Sequence, residues 1–87
     1  MSIFDIVVEG IMETETLVHK CAVPVSGNRY EILIYSRPDD SHVAKTVLDT
    51  YDVIINDGLT LNDALKKQTD FLPLAINSRL LFLRSRQ

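Results

Sequence analysis

The sequence has little of the chemistry that stabilises or activates many small proteins. Of 87 residues one is cysteine, none is tryptophan, and glycine and proline number three each. The single Cys21 excludes an internal disulfide framework and favours a reducing compartment. Because the glycines are isolated, no glycine-rich loop can cradle a phosphate. The longest apolar runs are about four residues, against the ~20 that span a bilayer.

The remaining composition is that of an ordinary globular protein, with 46% hydrophobic and 24% charged residues. A chain of this length forms one domain, so residues 1–87 are expected to make a single domain. The first residues contain no basic stretch, and Asp5 interrupts their apolar run, which argues against a secretory signal peptide. We therefore expect a soluble, cytoplasmic protein.

Two segments have clear local signals. Apolar pairs recur every four residues over 3–12 and predict a first helix, although Gly10 and neighbouring β-branched residues oppose it. A β-hairpin is predicted between Leu17–Val25 and Tyr30–Ser36. We expect a four-residue turn at 26–29, because a two-residue turn centred on Gly27 and Asn28 would place Pro24 at a hydrogen-bonded position. The edge strand would then be the first, with Val25 opposite Tyr30 and Cys21 opposite Ile34.

The second half of the chain is predicted to be mainly helical. An i, i+4 apolar stripe predicts a helix over 43–56, preceded by Asp39 and Asp40 as stabilising charges, and Thr60 with Asp63 starts another over 61–68. The tail from 71 to 84 is predicted as a helix, with a strand over 79–84 as the alternative. The expected fold is α+β: an antiparallel hairpin, or three strands, packed against three to four helices in the order α-β-β-α-α-(α or β).

No residue pattern predicts a catalytic, cofactor-binding or metal site. His19 and Cys21 lie on one face of a strand, but a zinc site needs three or four ligands and no second cluster completes it. A nucleophilic pair would need His42 to reach Cys21 from another element. We therefore expect a protein that is not an enzyme and that uses no cofactor.

The tail carries more apolar residues than one helix face can bury, and the expected edge of the strand Tyr30–Ser36 is also unpaired. Both features predict a non-enzymatic interaction or regulatory protein that pairs with itself as a homodimer, or with another protein. The alternative is a small nucleic-acid-binding regulator that uses the basic C-terminal end, although the pI of about 5.2 is far below the ~9 typical of such domains. The predicted contact residues are Phe71, Leu72, Ile76, Arg79, Leu80, Phe82, Leu83 and Arg84.

Overall fold

The computed structural model describes residues 15–85, with side chains described up to Leu81. Four antiparallel strands form one sheet in the order β1-β2-β3-β4, and one helix packs on one face of it. The smallest dimension of the molecule is 17 Å, the thickness of one sheet layer and one helix layer. The elements are β1 Thr16–Val25, β2 Asn28–Ser36, β3 His42–Asp49, β4 Asp52–Gly58 and α1 Leu61–Ser85.

The predicted helix over 43–56 is wrong, because this segment forms the hairpin of β3 and β4. Its side chains also alternate between the two faces of the sheet: Ala44, Thr46 and Ile54 are buried beneath α1, whereas Val47 and Val53 lie on the other face. The segment is rich in β-branched residues, which favour strands. The described order is therefore β-β-β-β-α, and the expectation of three to four helices in the order α-β-β-α-α is wrong. The predicted helix over 3–12 lies outside the described residues.

One continuous helix, α1, replaces the two shorter ones predicted at 61–68 and 71–84, and the alternative strand over 79–84 is wrong. The predicted start is confirmed, since the amide of Asp63 donates to Oγ1 of Thr60 at 3.1 Å. Pro73 removes one backbone hydrogen bond inside the helix. The helix continues because residues on both sides of Pro73 pack in the same core. No helix within residues 15–85 has both the length and the apolar character needed to cross a membrane.

The predicted hairpin of β1 and β2 is present, but its turn and register differ from the prediction. A two-residue turn at Ser26 and Gly27, with φ of 51° and 84°, joins Val25 to its partner Asn28. The register is thereby displaced by two residues, so that Cys21 lies opposite Ile32. Residues next to such a turn form a hydrogen-bonded pair, which leaves Pro24 at a non-bonded position.

The position of Pro24 thus satisfies the constraint that suggested a longer turn. The tip of the hairpin also contacts the helix, because Ser26 Oγ donates to Asn77 Oδ1 at 3.2 Å. Within the described sheet β1 is an edge strand, as predicted. The prediction of an open edge on β2 is wrong, because β3 pairs with it.

The core lies between the sheet and α1. Alanines on the helix let it approach the sheet closely, and Gly58 at the end of β4 has no room for a side chain: an added Cβ would lie 2.7 Å from the Ala64 amide nitrogen. Cys21 packs against the edge of this core. The buried core residues are Val25, Ile32, Ile34, Ala44, Ile54, Ala64, Leu72, Ala75 and Ile76.

A buried polar side chain, Gln68, fastens α1 to the sheet. Its Nε2 donates to Thr46 Oγ1 at 2.9 Å and to the Ile54 carbonyl at 3.0 Å. Its Oε1 accepts from Asn56 Nδ2 at 2.7 Å. Since Gln68 and Thr46 are almost fully buried, these bonds take the place of hydrogen bonds to water. They also select one rotation of the helix about its axis.

Candidate interaction surface

The side of α1 that faces away from the sheet carries a row of four residues, three of them apolar, which we name the outer seam: Phe71, Leu74, Ser78 and Leu81. The exposed fractions of the three apolar members are 47%, 69% and 62%. Successive members are three, four and three residues apart, so they line one stripe of the helix. A shallow groove of about 320 Å³ runs along Phe71, Leu74 and Ser78. The outer seam is therefore an apolar surface on a helix whose opposite face is already packed.

The predicted contact residues are divided between the core and the surface. Leu72 and Ile76 lie on the side of α1 that packs on the sheet and are buried, whereas Phe71 and Leu80 are exposed. The side chains of Phe82, Leu83 and Arg84 lie outside the described part of the chain.

Arg79 is held by the sheet rather than presented to a partner. Its Nε and Nη2 donate to the two carboxylate oxygens of Asp52 at 2.6 and 2.9 Å, and Nη1 donates to the Ala75 carbonyl at 2.9 Å. Hydrogen bonding by Arg79, followed by its charge, lowers the pKa of Asp52 against the opposing effect of desolvation. This bidentate pair fixes the second half of α1 to the start of β4 and so positions the outer seam.

Sequence reasoning missed Leu74 and Leu81, the two most exposed apolar residues of the outer seam. Their signal was the seven-residue spacing from Leu74 to Leu81, repeated from Phe71 to Ser78. That repeat is meaningful only on a continuous helix, and Pro73 concealed the continuity. A segment that is apolar almost all round does not show which side faces the core.

The basic residues behind the nucleic-acid alternative are partly engaged within the protein. Lys66 Nζ lies 2.7 Å from Asp70 Oδ2, and Lys67 Nζ donates to the Asp57 carbonyl at 2.9 Å. With Arg79, three of the five basic residues after position 60 therefore contact the chain's own oxygen atoms. The nucleic-acid alternative stays a prediction.

The residues considered for chemistry lie apart. Cys21 lies opposite Ile32 and His42 opposite Ser36, four residues further along β2, or ~13 Å at the rise of a strand. Among the described residues, no group of three or more metal-ligating side chains comes together. Asp39 accepts hydrogen bonds from the Ser41 amide at 3.0 Å and hydroxyl at 2.6 Å, which lower its pKa. It thus shapes the turn before β3, and its expected role at a helix N-terminus is wrong.

The sheet has a second apolar surface on the side opposite α1, which we name the open face: Leu17, Leu33, Val47, Val53 and Ile55. Ile32 and Ile34 face the helix, so Leu33 between them points to the other side. Leu33 and Ile55 flank Lys45 in one row across the sheet, and Val47 pairs with Val53. The exposed fractions of Val47 and Ile55 are 63% and 57%.

No protein-family model, curated protein sequence or solved structure matches the chain. The geometry of these two surfaces therefore carries the functional argument.

Proposed function

We propose that the protein is a non-enzymatic, cytoplasmic interaction protein that forms a homodimer through the outer seam of α1. The observation that carries this proposal is the row Phe71, Leu74 and Leu81, about half to two-thirds exposed, on a helix whose other side is packed. Exposed apolar residues in a continuous row mark interaction sites more often than isolated ones do.

The spacing of the outer seam suits a second helix. Residues three and four apart in alternation occupy the a and d positions of a heptad, which pack against a partner helix with the same spacing. A second copy of this chain supplies such a helix, and a two-fold axis makes one patch contact itself. The dimer therefore needs no further partner to cover Leu74 and Leu81.

Charge favours an antiparallel pair of helices. Residues 74–87 contain three bases and no acid, whereas residues 61–73 contain two bases and two acids. Parallel pairing would bring the two basic halves together, with Arg84 and Arg86 of each copy side by side, and antiparallel pairing separates them. With the two-fold axis near residue 76, Phe71 faces the partner's Leu81 and Leu74 faces the partner's Ser78.

The size of the seam indicates a reversible dimer. Full burial of one large apolar side chain contributes ~1.5–3 kcal/mol, and these residues already have part of their surface covered. Six such side chains per dimer, set against the entropy lost on association, correspond to a dissociation constant on the order of 10–100 μM. Dimerisation is then sensitive to protein concentration in the cell.

Sedimentation equilibrium of the full chain from about 5 to 500 μM tests the proposal, since that range brackets the expected dissociation constant. We expect the average mass to rise towards twice that of the chain, and the variant Leu74→Ser/Leu81→Ser to remain a monomer. Leu59→Ser is the matched control, because Leu59 is 80% exposed and precedes the helix. A wild-type monomer throughout, or a dimer that persists in the double variant, would refute the proposal.

A further inference from the structure

The turn between β3 and β4 presents an aromatic side chain to solvent. Thr50 and Tyr51 form this turn and join the paired residues Asp49 and Asp52. Tyr51 is 98% exposed, the largest fraction among the large apolar side chains that the structure describes, so its ring makes almost no packing contact with the described chain. Tyrosine is enriched at protein interfaces, because its ring is apolar and its hydroxyl can stay hydrated. The place of this ring relative to the outer seam decides whether a partner can reach it.

The outer seam borders the β4 side of α1. The groove along the seam is lined by Arg79, which binds Asp52 at the start of β4. Lys67, four residues before the first member of the seam, donates to the Asp57 carbonyl near the end of β4 at 2.9 Å. The other flank of the helix instead contacts the β1–β2 turn, through the hydrogen bond to Asn77. A partner helix that packs on the outer seam therefore approaches beside the edge of β4.

The β3–β4 turn also lies level with the two-fold axis of the proposed dimer. That axis lies near residue 76, and Arg79 is three residues, or ~4.5 Å, further along α1. Because helical side chains lean towards the N-terminus of the helix, the long Arg79 side chain reaches back to the level of residue 76, where it meets Asp52. Tyr51 directly precedes Asp52. It therefore lies at the level of the axis and on the side from which the partner approaches.

We propose that Tyr51 of each copy packs against the partner's Tyr51 and forms a second contact of the homodimer. This contact rests on the proposed dimer through the outer seam, because that seam sets the position of the axis. A two-fold axis brings each feature at its own level face to face with the same feature of the partner. The neighbouring acids leave space for the two rings, since both are bonded within their own copy. Asp52 accepts from Arg79, and the Asp49 carboxylate accepts from the amide of the next residue at 2.7 Å.

The ring is a substantial addition to a small interface. The outer seam contributes three apolar side chains from each copy, and Tyr51 adds an aromatic one whose surface is almost entirely free. Tyrosine is among the residues whose truncation weakens protein interfaces most. We therefore expect removal of the ring to weaken the dimer by at least ~tenfold, with no effect on the folding of a single copy.

Sedimentation equilibrium of the full chain measures this contribution. Tyr51→Ser should raise the dissociation constant at least ~tenfold, and Tyr51→Phe should keep it within about threefold. Leu59→Ser is the matched control and should leave the constant unchanged, because Leu59 is 80% exposed at the opposite end of β4. All three variants should unfold in urea at the wild-type midpoint. A wild-type dissociation constant in Tyr51→Ser would overturn the contact and leave the seam dimer standing, whereas a wild-type monomer throughout would remove both.

Cross-linking locates the contact. In a Cys21→Ala background, Tyr51→Cys and Leu59→Cys each leave one thiol in the chain. A short bismaleimide adds one thiol at each of its two rings, so it joins two copies whose thiols lie close together. The Tyr51→Cys protein should couple about tenfold faster than the Leu59→Cys protein, and adding Leu74→Ser and Leu81→Ser should abolish the difference. Equal coupling at a concentration where both proteins sediment as dimers would contradict the proposal, because the turn would then lie away from the axis.

Discussion

The buried Gln68 provides the sharpest test of how α1 is held on the sheet. Gln68→Leu keeps a similar volume but removes three hydrogen bonds. Gln68 accepts one of them from Asn56 and donates the other two to Thr46 and Ile54. Thr46 Oγ1 is then left without that donor in a site where Thr46 is 1% exposed, and the Ile54 carbonyl loses the hydrogen bond from Gln68. Asn56 is only partly buried, so its amide can turn to water.

The expected loss follows from these three groups. A buried polar group left without a partner costs ~1–3 kcal/mol, and Asn56 contributes little of this. The added leucine surface offsets part of the loss, so we expect the free energy of unfolding to fall by ~2–3 kcal/mol. For a small domain this is a large fraction of the total stability. Urea unfolding followed by helix circular dichroism measures it through the midpoint at constant slope.

A second substitution separates the hydrogen-bond argument from simple loss of packing. Thr46→Val in the Gln68→Leu protein removes the unpaired hydroxyl, so it should recover ~1 kcal/mol although the same change destabilises the wild type. The reasoning is refuted if Gln68→Leu unfolds within ~0.5 kcal/mol of the wild type. It is also refuted if Thr46→Val costs the same in both backgrounds, because the two side chains would then be independent.

Two further predictions concern the contacts at either end of β4. Because Arg79 lowers the folded pKa of Asp52, the pair stabilises the protein above the unfolded value near ~3.9 and the benefit is lost as the pH falls through the folded pKa. Asp52→Asn should therefore lower the urea midpoint at pH 7, whereas at pH 2–3 the midpoint of the variant should approach that of the wild type. A midpoint lowered by the same amount at both pH values would contradict this. Gly58→Ala should cost ~1–3 kcal/mol, because its Cβ would meet the Ala64 backbone. Leu59→Ala is the control, and equal midpoints for these two variants would disprove the clash.

The sequence alone determined the elements that depend on local chemistry. Thr60 and Asp63 predicted the start of α1, because a capping oxygen and an acid act within one turn. The hairpin followed from turn residues between alternating apolar segments, and Pro24 marked β1 as an edge strand. The register was wrong by two residues because Ser26 adopts a positive φ, which residue type alone does not predict for serine.

Only the tertiary structure decided what depends on distant partners. Residues 43–56 have apolar positions compatible with both a helix and two strands, and the pairing of β3 with β2 selected strands. The same holds for the candidate surface: the tail is apolar almost all round, so its sequence does not show that Leu72 is buried and Leu74 exposed. The sheet and the bonds of Gln68 and Arg79 set the rotation of α1 about its axis. That rotation, a property of the whole fold, places Leu74 and Leu81 on the outside.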